Sequence, residues 1–173
     1  MTTIKDATPA AGSLEVALDL ILNQRTLVLA TCDQTAPWTA PVFFVYANKG
    51  FCFFSSPRSA HIGHIQAGST VAASIFSDKG QWRQIRGLQM RGTVYRLRKV
   101  SERLKVTGGF IRKFPFAREF LQGGPGSVPD LSRRVQIYSF LPSEIYLVDN
   151  STAFGRRLPL EIVLLESAAQ KEG

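Results

Sequence analysis

No stretch of the 173 residues holds the ~20 consecutive apolar side chains that a bilayer-spanning helix needs. The opening "MTTIKDATPAAGSLEV", with Asp6 early, has no apolar segment of the signal-peptide kind. A cytoplasmic protein without membrane attachment is expected. Cysteine is scarce: Cys32 and Cys52 lie inside apolar strand-like runs and read as small buried thiols rather than a disulfide framework. Histidine is equally scarce, and neither His61 nor His64 is flanked by an acid or a cysteine at ligand spacing, which argues against a metal centre. The glycine-rich loops of dinucleotide and nucleoside-triphosphate sites and the Gly-x-Ser-x-Gly elbow are missing, so hydrolase readings have no support. Internal repeats and low-complexity tracts are absent as well.

Acidic side chains are short in one region. Between Lys79 and Arg118 lie twelve of the 21 Lys and Arg residues, against the single acid Glu102, and the chain carries a formal charge of +8. Such a field favours an anionic partner, whether nucleic acid, a phosphorylated small molecule or an anionic surface. With 45% hydrophobic and 20% charged residues the composition is that of a globular protein. The length fits one domain. Residues 1–12 read as a loose arm, 13–165 as the domain and 166–173 as a tail.

Ser13 followed by Leu14, Ala17, Leu18, Ile21 and Leu22 predicts an amphipathic helix with a hydroxyl N-cap, ending near Gln24. "TLVLATC" reads as a strand, and "WTAPVFFVYANKGFCFFSS" as a hairpin about Asn48-Lys49-Gly50, with Pro41 marking an edge or a bulge. "STVAASIFSD" and "QIRGLQMRGTVYRLRK" are further strands, the second with Gly87 and Gly92 as sites of bulging or close backbone approach. Helices are predicted from about Ser101 and over Phe116 to Leu121, a loop over "QGGPGSVPD", and two strand pieces interrupted by Pro142 in "RRVQIYSFLPSEIYLVD". Hairpin-linked strands without βαβ alternation argue for a mainly β protein, a β-barrel or a tightly coiled antiparallel sheet, with peripheral helices packed outside.

The stretch "FCFFSSPRSAHIGHIQAG" runs from a strand into a short helix over Ser59 to Ala67, whose Ile62, Ile65 and Gln66 pack one face. Ser55, Ser56, Arg58 and Ser59 then lie within five residues at the junction. Hydroxyls, helix-terminal amides and a forked guanidinium are the groups that bind phosphate, and His61 adds a donor. The same residues also read as a Pro57 turn with Ser59 capping the helix and Arg58 in water.

Four segments, "PWTAPVFFVYANKGFCFFSSPRSAHIGHI", "TVAASIF", "IRGLQMRGTVYRL" and "VDNSTAFGRR", resemble the FMN-binding split β-barrel family of the pyridoxamine 5′-phosphate oxidases, and within it a YhbP-like subgroup. The resemblance covers about Leu27 to Arg157. It implies a split barrel of antiparallel strands, and a homodimer with FMN in clefts built from both chains. Ser55, Arg58 and Ser59 fall on the positions that grip the FMN phosphate, and His61 stands where lysine is common. The strand over Ala40, Pro41, Val42 and Phe43 lies along the flavin ring in related proteins, largely through backbone groups. Arg86 matches the arginine of an Arg-Gln pair whose glutamine is here Gly87, with Gln89 and Arg91 nearby, which weakens the case for pyridoxamine phosphate oxidation itself.

The expected cofactor set is thus FMN, with FAD ranked below it, held by Ala40, Pro41, Val42, Phe43, Ser55, Ser56, Arg58, Ser59, His61, Arg86 and Gln89. The expected function is a flavin-dependent oxidoreductase acting on a small molecule, with a reduced nicotinamide as a candidate donor and no general acid or base identified. The flavin would supply the redox chemistry. Trp38, Phe43, Phe44 and Phe154 are candidates for an apolar wall or for barrel core. A flavin carrier without turnover is the main alternative. Behind it come a single-strand nucleic-acid barrel, which Trp82, Tyr95, Phe110, Phe114 and Phe116 among the basic residues would serve, and a haem-binding variant.

Overall fold

A computed structural model describes residues 11–33, 36–65, 69–77, 80–122 and 134–163. Seven strands form one antiparallel sheet: β1 (Thr26–Cys32), β2 (Pro37–Ala47), β3 (Gly50–Ser55), β4 (Thr70–Ser77), β5 (Arg86–Arg96), β6 (Gln136–Asp149) and β7 (Arg157–Pro159). Their order is β3-β2-β1-β4-β5-β6-β7, and β3 also pairs with β6, so the first six close into a barrel. The closing ladder runs from Phe51↔Phe140 to Ser55↔Gln136. The carboxy-terminal half of β6 takes β7 instead, from Tyr146↔Pro159 to Val148↔Arg157. One long strand thus serves β3 and β7 in turn, which is why the barrel is split rather than a complete cylinder.

The β2–β3 hairpin turns at Asn48 and Lys49, both with positive φ (52° and 67°), the pair of left-handed residues whose twist suits adjoining antiparallel strands. Along β5 burial alternates from Leu88 through Met90 and Val94, buried, to Gln89, Arg91, Thr93 and Tyr95, exposed. At Gly92 the partner strand comes so close that a Cβ would run into the Leu141 carbonyl and Pro142 Cα. Arg91 pairs with Glu144 and Gly92 with Pro142, which leaves Ser143 as the extra residue of a bulge. The interruption expected at Pro142 is therefore only that bulge: β6 continues as one fourteen-residue strand.

Inside the barrel Phe44, Phe51, Phe53 and Phe140 are fully buried with Leu27, Leu29, Ile75 and Leu88, each large side chain contributing roughly 1.5–3 kcal/mol of burial. Helix α1 (Ala11–Asn23) adds Ala17, Leu18, Leu20 and Ile21 to this core. It starts before Ser13, so that serine lies in the first turn rather than at the N-cap, and residues 11 and 12 are helical rather than part of an arm. The remainder of the expected arm, the loop residues 123–130 and the tail from 166 lie outside the described residues. Short α2 (Ala60–His64) packs Ile62 against the core, followed by Ile65. It is five residues long where eight or nine were expected, and residues 66–68 lie outside the description.

A second, smaller core forms on the outside. Helices α3 (Val100–Lys113) and α4 (Ala117–Gln122) lay Val106, Phe110 and Ala117, with the intervening Phe114, over Val45, Cys52, Leu97 and Ile137. Cys52 is the buried thiol expected, its pKa pushed up to about 11 by burial. Cys32 is exposed at the end of β1 instead, and both cysteines are free. No helix among the described residues is long and apolar enough to cross a membrane.

Lys113 ties α3 to α1. Its Nζ donates to the Ile21 carbonyl (3.3 Å) and stands 4.1 Å from the Phe44 ring centroid. Burial, and secondarily Arg25, lowers its pKa to about 8 from 10.5. Protonation therefore opposes folding at neutral pH, and stability should rise by on the order of 1 kcal/mol between about pH 8 and 10.5, a solvent-screened figure. Urea midpoints for wild type and Lys113→Met at pH 7.5 and 10 test this: the variant should lack the rise. Gly92→Ala should cost roughly 2–4 kcal/mol by the same assay, because backbone rather than a flexible side chain occupies the Cβ position.

Candidate functional site

The barrel opens where β2 and β3 part. Their ladder ends at Phe44↔Phe53, whereas β2 stays paired with β1 back to Pro37. The Phe44 N–H bonds to the Arg25 carbonyl on the β1 side (3.2 Å). By strand alternation, the Thr39 backbone groups and the Pro41 carbonyl face the other, unpaired edge. Pro41 has no N–H to contribute on that edge, which explains its tolerance there, as anticipated for an edge position. The side chains alternate too. Ala40 is buried and Val42 packs against the barrel core, while Pro41 and Phe43 lie on the outer surface.

Across this seam β3 delivers Ser55, largely buried, to the turn before α2. Ser55 Oγ lies 2.8 Å from His61 Nε2 and 3.0 Å from Ser59 Oγ, and the Ser59 hydroxyl donates to the Ser56 carbonyl (2.8 Å). With Ser59 committed as a donor, one assignment satisfies the set: His61 Nε2–H donates to Ser55, Ser55 to Ser59, and Ser59 to the backbone. Ser59 is the N-cap residue of α2, its carbonyl accepting from the Ile62 and Gly63 N–H groups after the Pro57 turn, but its hydroxyl makes no cap bond and is turned to Ser55 and Ser56 instead. The Ser56 hydroxyl accepts from the Arg58 N–H (3.2 Å). Arg58 itself is exposed, and its guanidinium has no partner among the described residues.

His61 is half-buried, and burial, helped by His64, lowers its pKa below 6.5. It is therefore neutral at physiological pH when no anion is present. Neighbouring His64 is tied down at both nitrogens, Nδ1 at 3.3 Å from Thr31 Oγ1 and Nε2 at 3.6 Å from Asp33 Oδ2. The two histidines thus face different partners, His61 the end of β3 and His64 the end of β1, and no cluster of three or more potential metal ligands occurs among the described residues.

The structure thus brings Ser55, Ser56, Arg58, Ser59 and His61 together and sets them across the seam from Ala40, Pro41, Val42 and Phe43. Arg86 is not with them. Ser55 pairs with Gln136 at the start of β6, and Arg86 with Asp149 at its end. Thirteen residues of strand separate the two, roughly 40 Å of contour. Arg86 Nε bonds Asp149 at 3.2 Å, and its Nη2 lies 3.4 Å from Ser151 Oγ. Gln89 is exposed on the outer face, in register with Ser74, Val28 and Pro41, and Arg91 is paired to Glu144 at 3.2 Å. Of the candidate ring-wall aromatics, Phe44 is core, while Trp38, Phe43 and Phe154 are exposed. Sequence reasoning missed the Asp149–Arg86–Ser151 cluster and the Thr31–His64–Asp33 bridge. Asp149 had been noted only as part of a closing pattern, and nothing local to Thr31 signalled its role.

A family model described as pyridoxamine 5′-phosphate oxidase matches residues 14–113, more than half of the chain. The chain belongs to the pyridoxamine 5′-phosphate oxidase family. Within curated proteins it is similar to a UPF0306 protein of Photorhabdus laumondii, 25% identical over 152 residues and spanning 86% of this chain and 96% of the relative. Among solved structures, a heme binding protein from Mycobacterium smegmatis superposes with a TM-score of 0.70 at 11% identity over 93% of this chain, which spans 62% of that protein. An FAD-binding protein from Mesorhizobium loti gives 0.59 at 18% identity, covering 80% and 94% of the two chains. At such identities the structural likeness shows the split-barrel fold.

The depressed basicity of His61 has a measurable sign. Below pH 6.5 the unfolded chain takes up the proton more readily, so stability should fall as pH drops through that range. An NMR titration should place the His61 midpoint below 6.5, and Ser55→Ala should move it, since the ring then loses its 2.8 Å partner.

Proposed function

We propose that the seam between β2 and the β3–α2 turn binds FMN, and that the protein is a flavin-dependent oxidoreductase acting on a small molecule. The observation that carries this reading is the convergence of Ser55, Ser59, His61 and an unpartnered Arg58 opposite a flat strand edge. These groups fit a phosphate, at a definable cost. In the arrangement above the Ser55 and Ser59 hydroxyl hydrogens are already used, while the Ser56 hydroxyl only accepts, so a phosphate must draw the first two away from neutral bonds worth about 1 kcal/mol each; charge-assisted bonds, roughly twice as strong, offset this. Five-residue α2 has little dipole, so the hydroxyls, Arg58 and a protonated His61 must supply the grip. Bound flavin would supply electron transfer. The strand from Ala40 to Phe43 would support the ring and keep water from one face.

A homodimer is part of the proposal. The outer faces of β1, β2 and β4 present Val28, Ala30, Pro41, Phe43, Ala72 and Phe76 side by side, with Phe43 and Phe76 about half exposed. A second copy laid on this face would cover that surface and bring its own Gln89 toward the seam. FMN is preferred to FAD because the polar groups amount to one phosphate grip. The M. smegmatis neighbour's name raises haem, but His61 Nε2 and both nitrogens of His64 already have partners. A carrier role without turnover shares the same site, and anaerobic reduction of the bound flavin by reduced nicotinamides separates it from catalysis. Nucleic acid is the least supported partner, since Phe110 and Phe114 of the basic region are buried in the outer core.

Flavin fluorescence titrations test the site. FMN should bind more tightly than riboflavin, Arg58→Ala should weaken FMN roughly tenfold or more while leaving riboflavin unchanged, and FMN affinity should increase below pH 6.5 as His61 gains its proton. Equal affinity for FMN and riboflavin would remove the phosphate grip, and with it this reading.

A further inference from the structure

A separate pocket of about 440 Å³ opens at the other end of β6, between α1, β6, β7 and the turn joining the two strands. Its walls are mainly apolar, with Val16 from α1, Leu147 from β6, Ala153 from the turn and Leu158 from β7. The volume lies within the range of roughly 300–1,000 Å³ usual for small-molecule sites.

The turn that forms one wall is held from several directions. Asp149 accepts from the Ser151 N–H (2.9 Å) and hydroxyl (2.6 Å), and its carbonyl accepts from the Thr152 and Ala153 N–H groups. Asn150 donates to the Trp82 and Ile85 carbonyls (2.9 and 3.1 Å), latching the turn to the 3-10 segment Trp82–Gln84. Trp82 and Phe154 then meet edge to face, centroids 5.4 Å apart. Gly155, at φ +72°, lets the chain bend back toward Arg156. The wall is therefore preformed.

The charges at the pocket do not cancel. Burial would raise the pKa of Asp149, but the bonds from Ser151 and Arg86 outweigh it and hold the carboxyl below its ordinary value. It is thus a carboxylate, and it occupies Arg86 through the 3.2 Å ion pair. Arg156 lines the same pocket and has no side-chain partner among the described residues. One positive charge is left over beside an apolar surface.

We propose that this pocket binds a small amphipathic monocarboxylate, its carboxylate on Arg156 and its apolar body against Val16, Leu147 and Leu158. A phosphate dianion suits it less well, because Asp149 lies in the wall and, of the two arginines among the described lining residues, only Arg156 has no acidic partner. The proposal is independent of flavin binding, since within one chain the pocket and Ser55 lie at opposite ends of β6.

The test is calorimetric titration of the full chain with octanoate and with 1-octanol, alongside the emission of Trp82 in a Trp38→Phe background, because Trp82 abuts the latched wall. Saturable octanoate binding, at least roughly tenfold tighter than octanol and lost to about that extent in Arg156→Gln but largely kept in Arg156→Lys, is the expected result. Equal binding of the acid and the alcohol would overturn the proposal, as would undiminished binding to Arg156→Gln or no saturable binding of octanoate.

Discussion

The double pairing of β6 is the constraint on which the rest depends. Its first half hydrogen-bonds β3 on one edge and β5 on the other, so the sheet must curl until it closes. The curl brings Phe51 and Phe140 into one core, 6.1 Å between ring centroids, and the dry interior that results makes closure favourable. Because β3 is only six residues long, it cannot follow β6 to its end. The second half of β6 is left to β7, and the first half of β2 is left with one neighbour. The seam is thus a geometric consequence of unequal strand lengths in a closed sheet.

What sits at that seam follows from ordinary polar bookkeeping. A chain leaving a closed barrel must satisfy its backbone and side-chain donors locally. Ser55, Ser59 and His61 do so among themselves at 2.8–3.3 Å. The same groups are chemically suited to an anion, and the unpartnered Arg58 beside them tips the balance of charge. In the proposed site His61 would add a proton-dependent element that a lysine would not, since burial keeps the imidazole uncharged until a bound anion raises its pKa or the pH falls.

Much of the fold was legible in the sequence. "TLVLATC" is β-branched and apolar, and it is β1 to the residue. Asn48-Lys49-Gly50 marked the tight hairpin: Asn48 readily takes a positive φ, Lys49 takes the second, and Gly50 leaves the room that Ser139 and the Phe140 carbonyl occupy. Gly87 and Gly92 marked close backbone approach, as found. The misreadings were local rules overridden by distant partners. Ser13 has the chemistry of an N-cap, but α1 already includes Ala11 and Gly12. Pro142 has the chemistry of a break, but the bulge at Ser143 and the glycine opposite absorbed it. Cys32 sits in an apolar run, but at an exposed strand end. Of the site, the cluster from Ser55 to His61 was visible because its members are neighbours in the chain.

The sequence by itself determined which residue types were available and in what local order: hydroxyls, an arginine and a histidine at one strand-to-helix junction, and alternating strands too apolar to stay apart. Local order is enough for that, since turns, alternation and capping depend on residues a few positions apart. Only the tertiary structure decided that Arg86 belongs with Asp149 rather than with Ser55, that His64 is held by Thr31, and that Arg156 is left unpartnered beside an apolar pocket. Those outcomes depend on strand register, and register is set by the closure of the whole barrel.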